Sequence, residues 1–246
     1  MSERKSCEHD RTMNAYNLPL LLEDIELCGR WDMPVLRSCD AVPDDLIDFG
    51  LVKSARNIDR HRLGVHFFID DYRFERVWRR PEAYVRMLSP FRCVLTPDFS
   101  LYSDMPLAQQ VHNVYRSRLM GAWWQSQGMN VVPTLQWSTP ESFSFAFDGL
   151  PHGSVVAAST LGVLNDPVAT ALWRIGMREA LERLAPELVL LYGLPIPDFD
   201  WRGVEWIRFR NSVVERMESW EAVDQVQVPQ GGRSERRERI PCHTWR

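Results

Sequence analysis

The chain has 246 residues, 45% of them apolar and 25% charged, with a formal net charge of −4. A compact chain of this length buries roughly 70% or more of its unfolded surface, so a full core is within reach and disordered or fibrous classes are excluded. The slight acidic balance gives no global attraction to phosphate or anionic lipid, so any nucleic-acid contact needs a local basic patch.

The cysteines Cys7, Cys28, Cys39, Cys93 and Cys242 are odd in number and irregularly spaced, which fits a reducing compartment better than a disulfide scaffold. The opening MSERKSCEHDR has no apolar leader core, and no run approaches the ~18 apolar residues of a membrane span. A cytoplasmic protein with no membrane association is expected.

In chain order, residues 1–29 form an N-terminal extension and strands are expected at 33–38, 64–70, 92–97, 130–137, 154–160, 188–193 and 205–210. Several of these runs, such as LVLLYG, are almost wholly apolar, the mark of parallel strands covered on both faces. Short helices are expected at 43–53 and 74–88. An amphipathic helix follows Asp104, its stripe running through Leu107, Val111, Val114, Tyr115, Leu119, Ala122 and Trp123, with Gln110, Asn113, Arg116 and Gln125 on other faces. Asp104 is its candidate N-cap, Pro106 lies in its first turn and Gly128 ends it. A further helix has Asp166 as cap, Pro167 first, a stripe of Val168, Leu172, Ile175 and Leu184, and Pro186 as breaker.

Strands alternating with helices give βαβ units, so the fold is α/β with a mostly parallel sheet. Seven candidate strands fall short of an eight-stranded barrel, which favours a compact or incomplete (β/α) barrel over the alternative, an open doubly wound sheet. The single α/β domain is expected to span 30–212, with 213–246 a polar, arginine-rich tail.

Parallel α/β folds gather the residues that follow each strand into one crevice. Those positions here are Asp70 and Asp71, Asp98, Ser100 and Tyr102, Gln136 and Trp137, Ser159 and Thr160, and Tyr192. Asp98, after Pro97 at a rigid strand exit, is the leading catalytic candidate, as general base or metal ligand, with Asp70 or Asp71 as partner. Adjacent Asp70 and Asp71 point to opposite sides, so one enters the crevice and the other caps the next helix. Paired carboxyls can divide acid and base roles, because a desolvated carboxyl beside another has a raised pKa. As metal ligands, Asp98 and Asp70 would suit Mg²⁺ or Mn²⁺ better than zinc. Ser100, Tyr102, Asn113, Arg116, Gln136, Trp137, Ser159 and Tyr192 are candidate ligand-binding residues.

Other chemistries find less support. Cys7 with His9, and Cys242 with His243, lack zinc-ligand spacing, His66 and Cys93 sit in apolar strands as core residues, and no nucleophile elbow, dinucleotide fingerprint or Walker loop occurs. Arg73, Arg76, Arg79 and Arg80 lie among Tyr72, Phe74, Trp78 and Tyr84. That mixture suits single-strand binding through phosphate contacts and stacking, although an amphipathic helix with solvated arginines explains it more simply.

The stretches GVHFFIDDYRFERVW, FRCVLTPDFSLYSDMPLAQQVHNVYRSRLMGAWWQSQGMNVVPTLQW, FDGLPHGSVVAASTLG and LVLLYGLPI resemble the family called domain of unknown function 4417, over about residues 30 to 195. The resemblance implies one domain and a bacterial, phage or mobile-element setting, and brings no activity, cofactor or catalytic residue with it. The residues themselves point to a carboxylate-containing pocket of a hydrolase, metal-assisted in one form, acting on a nucleotide or nucleic acid. The alternative is a non-catalytic module that binds nucleic acid, a signalling ligand or a host protein.

Overall fold

The computed structural model describes residues 8–22, 25–55 and 58–210. Helix α1 (Glu8–Ala15) and a 3-10 segment at Leu18–Leu22 precede an antiparallel ribbon of β1 (Leu27–Cys28) and β2 (Met33–Pro34). The α/β region then runs β3 (Asp45–Asp48), β4 (Leu63–His66), α2 (Asp71–Arg79), α3 (Glu82–Leu88), β5 (Cys93–Leu95), α4 (Leu107–Ser126), β6 (Val131–Val132), β7 (Val155–Ser159), α5 (Pro167–Leu184), β8 (Leu188–Tyr192) and β9 (Glu205–Phe209).

Strands β3 to β6 pair in chain order and in parallel, and β7 to β9 do the same. A parallel bridge between Thr134 and Ala157 links the two sets, supported by Leu135 N–H to the Ala157 carbonyl at 2.7 Å and Ala157 N–H to Pro133 at 2.8 Å. An open doubly wound sheet would reverse its strand order at a switch point; here the order never reverses. The sheet also curls, because the His66 ring on β4 lies 4.3 Å from the Tyr192 ring on β8. Among the described residues no ladder joins β9 back to β3, so the architecture is an incomplete (β/α) barrel.

The apolar runs have two buried sides. Cys93, Leu95, Val132, Val155, Ala157, Leu190 and Tyr192 fill the concave interior. Their neighbours Val94, Val131, Val156, Ala158, Val189 and Leu191 face the helices outside. This period-2 alternation between two apolar environments is why no polar residue interrupts those strands. Among the described residues no helix is long and apolar enough to cross a membrane.

Several elements differ from expectation. The segment 43–53 holds β3 and a 3-10 turn at Phe49–Leu51 in place of a helix. The helix expected at 74–88 is two, broken at Pro81, whose ring cannot continue the hydrogen-bond ladder. Asp104 does not cap α4: Pro106 holds the N-cap position and no side chain satisfies the first turn. Gly128, at φ +80°, follows the last residues of α4 as expected. In α5, Asp166 accepts from Val168 and Ala169 N–H at 2.8 and 3.3 Å, but the buried stripe is Trp173, Met177, Ala180, Leu181 and Leu184. Val168 and Ile175 are exposed. Cys7, Cys242, His243 and the tail at 213–246 lie outside the described residues.

Candidate functional site

At the C-terminal ends of β4 to β7 the following loops, with the first turns of α5, enclose a cavity of about 740 Å³. Ile69 and Asp70 come from the β4 loop, Asp98 to Ser103 from the β5 loop, Leu135 to Ser138 from β6, and Ser159 and Leu161 to Val163 from β7. Asp166, Ala169, Leu172 and Trp173 of α5 complete the wall. Two crossing hydrogen bonds set the β5 and β6 exits against each other: Thr134 N–H to Thr96 Oγ1 at 2.9 Å, and Thr134 Oγ1–H to the Thr96 carbonyl at 2.7 Å.

Asp98 is half-buried in this lining. Burial raises its carboxyl from the ordinary 3.8 to about 7; the negative Asp71 adds to the rise, and a side-chain hydrogen bond from Gln136 opposes it. Desolvation disfavours the charged form and a like charge does the same. Gln136 is itself buried. Its Nε2 donates to the Phe99 carbonyl at 2.9 Å, while its Oε1 has no partner.

The loop that carries Asp98 is braced from behind. Asp71, in the first turn of α2, accepts from Ser100 N–H at 3.1 Å and from Ser100 Oγ–H at 2.8 Å. Asn113 donates to the Ser100 carbonyl at 2.7 Å and accepts from Arg116 at 2.8 Å, and Arg116 pairs with Glu75 at 2.9 Å. The Arg116 guanidinium lies 3.8 Å from the centre of the Phe99 ring, a cation–π contact. Trp137 forms a wall by lying flat on α5, where Gly176 has no side chain to obstruct it, and it donates to the Leu172 carbonyl at 3.2 Å. Trp173 donates to the Ser159 carbonyl at 2.9 Å.

Of the sequence-derived candidates, Asp70, Asp98, Ser100, Tyr102, Gln136, Trp137 and Ser159 line the one cavity. Asp71, Asn113 and Arg116 are absent from the lining and hold its loop. Asn113 belongs to the buried face of α4, where Gln110 and Gln125 are buried too. Tyr192 stacks on Phe68 and His66 in the barrel interior. Asp70 makes no side-chain cap at the start of α2. Ser138, Leu161, Val163 and Trp173 were not anticipated in the lining, and Asp166 was read only as a cap; the turn signal at Asn165 to Pro167, closing the loop after β7, was the available clue.

Among the described residues no group of three or more His, Cys, Asp or Glu is placed to hold a metal ion. His66, pushed by burial to about 3, and Cys93, pushed by burial to about 12, are neutral core groups. In the arginine tract, Phe74 and Trp78 are buried, Arg73 pairs with Asp48 and Arg76 lies over Phe49. Tyr72 is the exposed aromatic of that tract, so the structure presents an amphipathic helix with solvated arginines.

No solved structure matches this chain. The Gene 1 protein of Mycobacterium phage L5 is 44% identical over 168 residues, covering 68% of this chain and 73% of its own length. The Gene 1 protein of Mycobacterium phage D29 is 43% identical over 197 residues, covering 74% and 70%. A family model described as "Domain of unknown function (DUF4417)" matches residues 25–210, a span that takes in every strand of the incomplete barrel and the whole cavity lining, and the chain belongs to that phage-associated family.

Proposed function

We propose that this chain is a hydrolase-type enzyme that takes a nucleotide-derived small molecule into the cavity at the strand C-termini, with Asp98 as the proton-transfer group. The observation that carries this reading is the position of Asp98 in the lining together with its pKa of about 7. A general base works best when its pKa lies near the working pH, where it is both populated and able to accept a proton. As carboxylate, Asp98 would take a proton from an attacking water; as acid it would return that proton to the leaving group, so one site serves both halves of a hydrolysis. Gln136 holds the carboxyl, and Trp137, Trp173 and Tyr102 offer flat walls to the ligand. The volume falls within the about 300–1,000 Å³ usual for small-molecule sites. Asp70, on the same lining, is available to a Mg²⁺ ion together with Asp98.

The test is turnover of a panel of nucleosides, nucleotides and short oligonucleotides between pH 5 and 9, for the wild type, Asp98→Asn and Asp98→Glu. The expected result is a rate inflection near pH 7 and a fall of about 10²–10⁴-fold in Asp98→Asn. Turnover unchanged in Asp98→Asn would remove Asp98 from the chemistry. A ligand recovered intact from the denatured protein would instead make the chain a capture module.

A further inference from the structure

Among the described residues the cavity lining holds three carboxyls, Asp70, Asp98 and Asp166, and no Lys, Arg or His. We infer that the cavity selects a planar nitrogen heterocycle that carries N–H donors and no phosphate, such as a free purine base or its nucleoside. This rests on the reading of the cavity as the ligand site, and it narrows the ligand class.

Charge is the first argument. Sites for phosphate supply Arg, Lys, a metal ion or a run of free backbone N–H groups. Here α5, whose N-terminus reaches the lining, is already capped, the Asp166 carboxylate accepting from Val168 and Ala169, and α2, which also starts at the lining, places the Asp70 carboxylate at its N-cap. Without a bound Mg²⁺, an anionic ligand would therefore meet carboxylates where it needs cations, in a partly desolvated space where like charges repel strongly.

The polar groups supply the second argument. Phe99 fixes the orientation of Gln136 by accepting from its Nε2, which leaves the buried Oε1 without a partner. Beside Gln136 stands the Asp98 carboxyl, on the cavity lining. The two oxygens of the Asp98 carboxylate, on the lining, can accept from a ring N–H and an exocyclic amino group on one edge of a base, the pairing by which proteins read bases through their hydrogen-bonding edges. Trp137 and Trp173 lie against each other, ring centres 6.0 Å apart and planes tilted by 57°, and together give an aromatic wall for one face of the ring.

The experiment uses the full chain and isothermal titration with adenine, guanine, adenosine, guanosine, AMP, GMP and purine riboside, which lacks the exocyclic amino group. The expected order is base or nucleoside at least tenfold tighter than its 5′-monophosphate, and guanosine, with its ring N–H beside the amino group, at least tenfold tighter than adenosine or purine riboside, which lack that N–H. In Asp70→Lys, a change at an exposed loop position, the monophosphate penalty should shrink. Monophosphates binding as tightly as nucleosides, a penalty that Asp70→Lys leaves untouched, or binding of none of the seven probes would overturn the inference. Turnover separates this from the enzyme reading: a nucleoside bound without reaction supports the ligand class and refutes the hydrolase, whereas preferential turnover of a nucleotide does the reverse.

Discussion

Asp98→Asn is expected to stabilise the protein above neutrality, which gives the site a readout that needs no substrate. The folded carboxyl has a pKa of about 7 against 3.8 for an ordinary aspartate. The folded state therefore holds the proton more tightly than the unfolded chain. Stability from this group is complete below pH 3.8, falls by about 1.4 kcal/mol for each pH unit above that, and reaches its floor once pH passes about 7. The full span corresponds to about 4 kcal/mol, and screening through the open side of the cavity reduces it to about 2–4 kcal/mol. Asparagine has nearly the same shape and cannot ionise, so the variant avoids the loss. Urea denaturation of wild type and Asp98→Asn at pH 4, 5.5, 7 and 8.5 measures the difference directly. The gap should be smallest at pH 4 and widen in favour of the variant up to neutrality, then stay constant. A gap independent of pH, or a variant less stable than wild type at pH 8.5, would show that Asp98 ionises like a surface aspartate and would remove the basis for its proton-transfer role.

Gly176→Ala places a methyl group into the Trp137 indole; it should destabilise the fold by about 1–3 kcal/mol, shift tryptophan emission and weaken ligand binding, with helix content by circular dichroism unchanged. Arg116→Ala removes the Glu75 ion pair, the Asn113 bond and the Phe99 stack together, so limited proteolysis should cut faster between Ser100 and Pro106 than elsewhere in the chain. His66 is pushed by burial from 6.5 to about 3, so its contribution to stability is complete above pH 6.5 and is lost as pH falls toward 3; His66→Gln should lessen acid sensitivity, measured as the midpoint of unfolding between pH 3 and 6. If Asp98 and Asp70 bind Mg²⁺, 5 mM MgCl₂ should raise the melting temperature of the wild type and not of Asp98→Asn, and equal shifts in both would rule out Asp98 as a ligand.

Strands β5 to β8 were legible because each is apolar on two sides and ends at a turn signal, as in LVLLYG before Leu194. β3 was not: its DLID lies at the start of the parallel set and, among the described residues, pairs only with β4. Its open side carries carboxylates, and a short segment with that mixture has the pattern of a helix surface. The expected cap at Asp104 failed for a steric reason. Pro106 has a fixed φ and takes the N-cap place with ψ 136°, so the chain turns into the helix there and Asp104 stays exposed. Strand exits pointed to the cavity, because parallel strands share a direction whatever their side chains are. The roles of Asn113 and Arg116 were hidden, since a polar residue on a helix carries no mark of whether it meets water or a buried carbonyl. Only the position of the β5 loop, laid over α4, turns them inward.

Strands β3 to β6 pair in the order in which they occur along the chain, β7 to β9 do the same, and the Thr134–Ala157 bridge joins the two sets in sequence. Each new strand therefore finds its docking edge already in place, and the loop that must close to bring them together is one βα unit long. During synthesis the sheet can grow at one edge, from the N-terminal end onward. Of the cavity lining, Asp70, Asp98 and Gln136 precede β7 in the chain, while Ser159, Asp166 and Trp173 arrive with β7 and α5. The half of the site that holds Asp98 is thus assembled before the wall that encloses it.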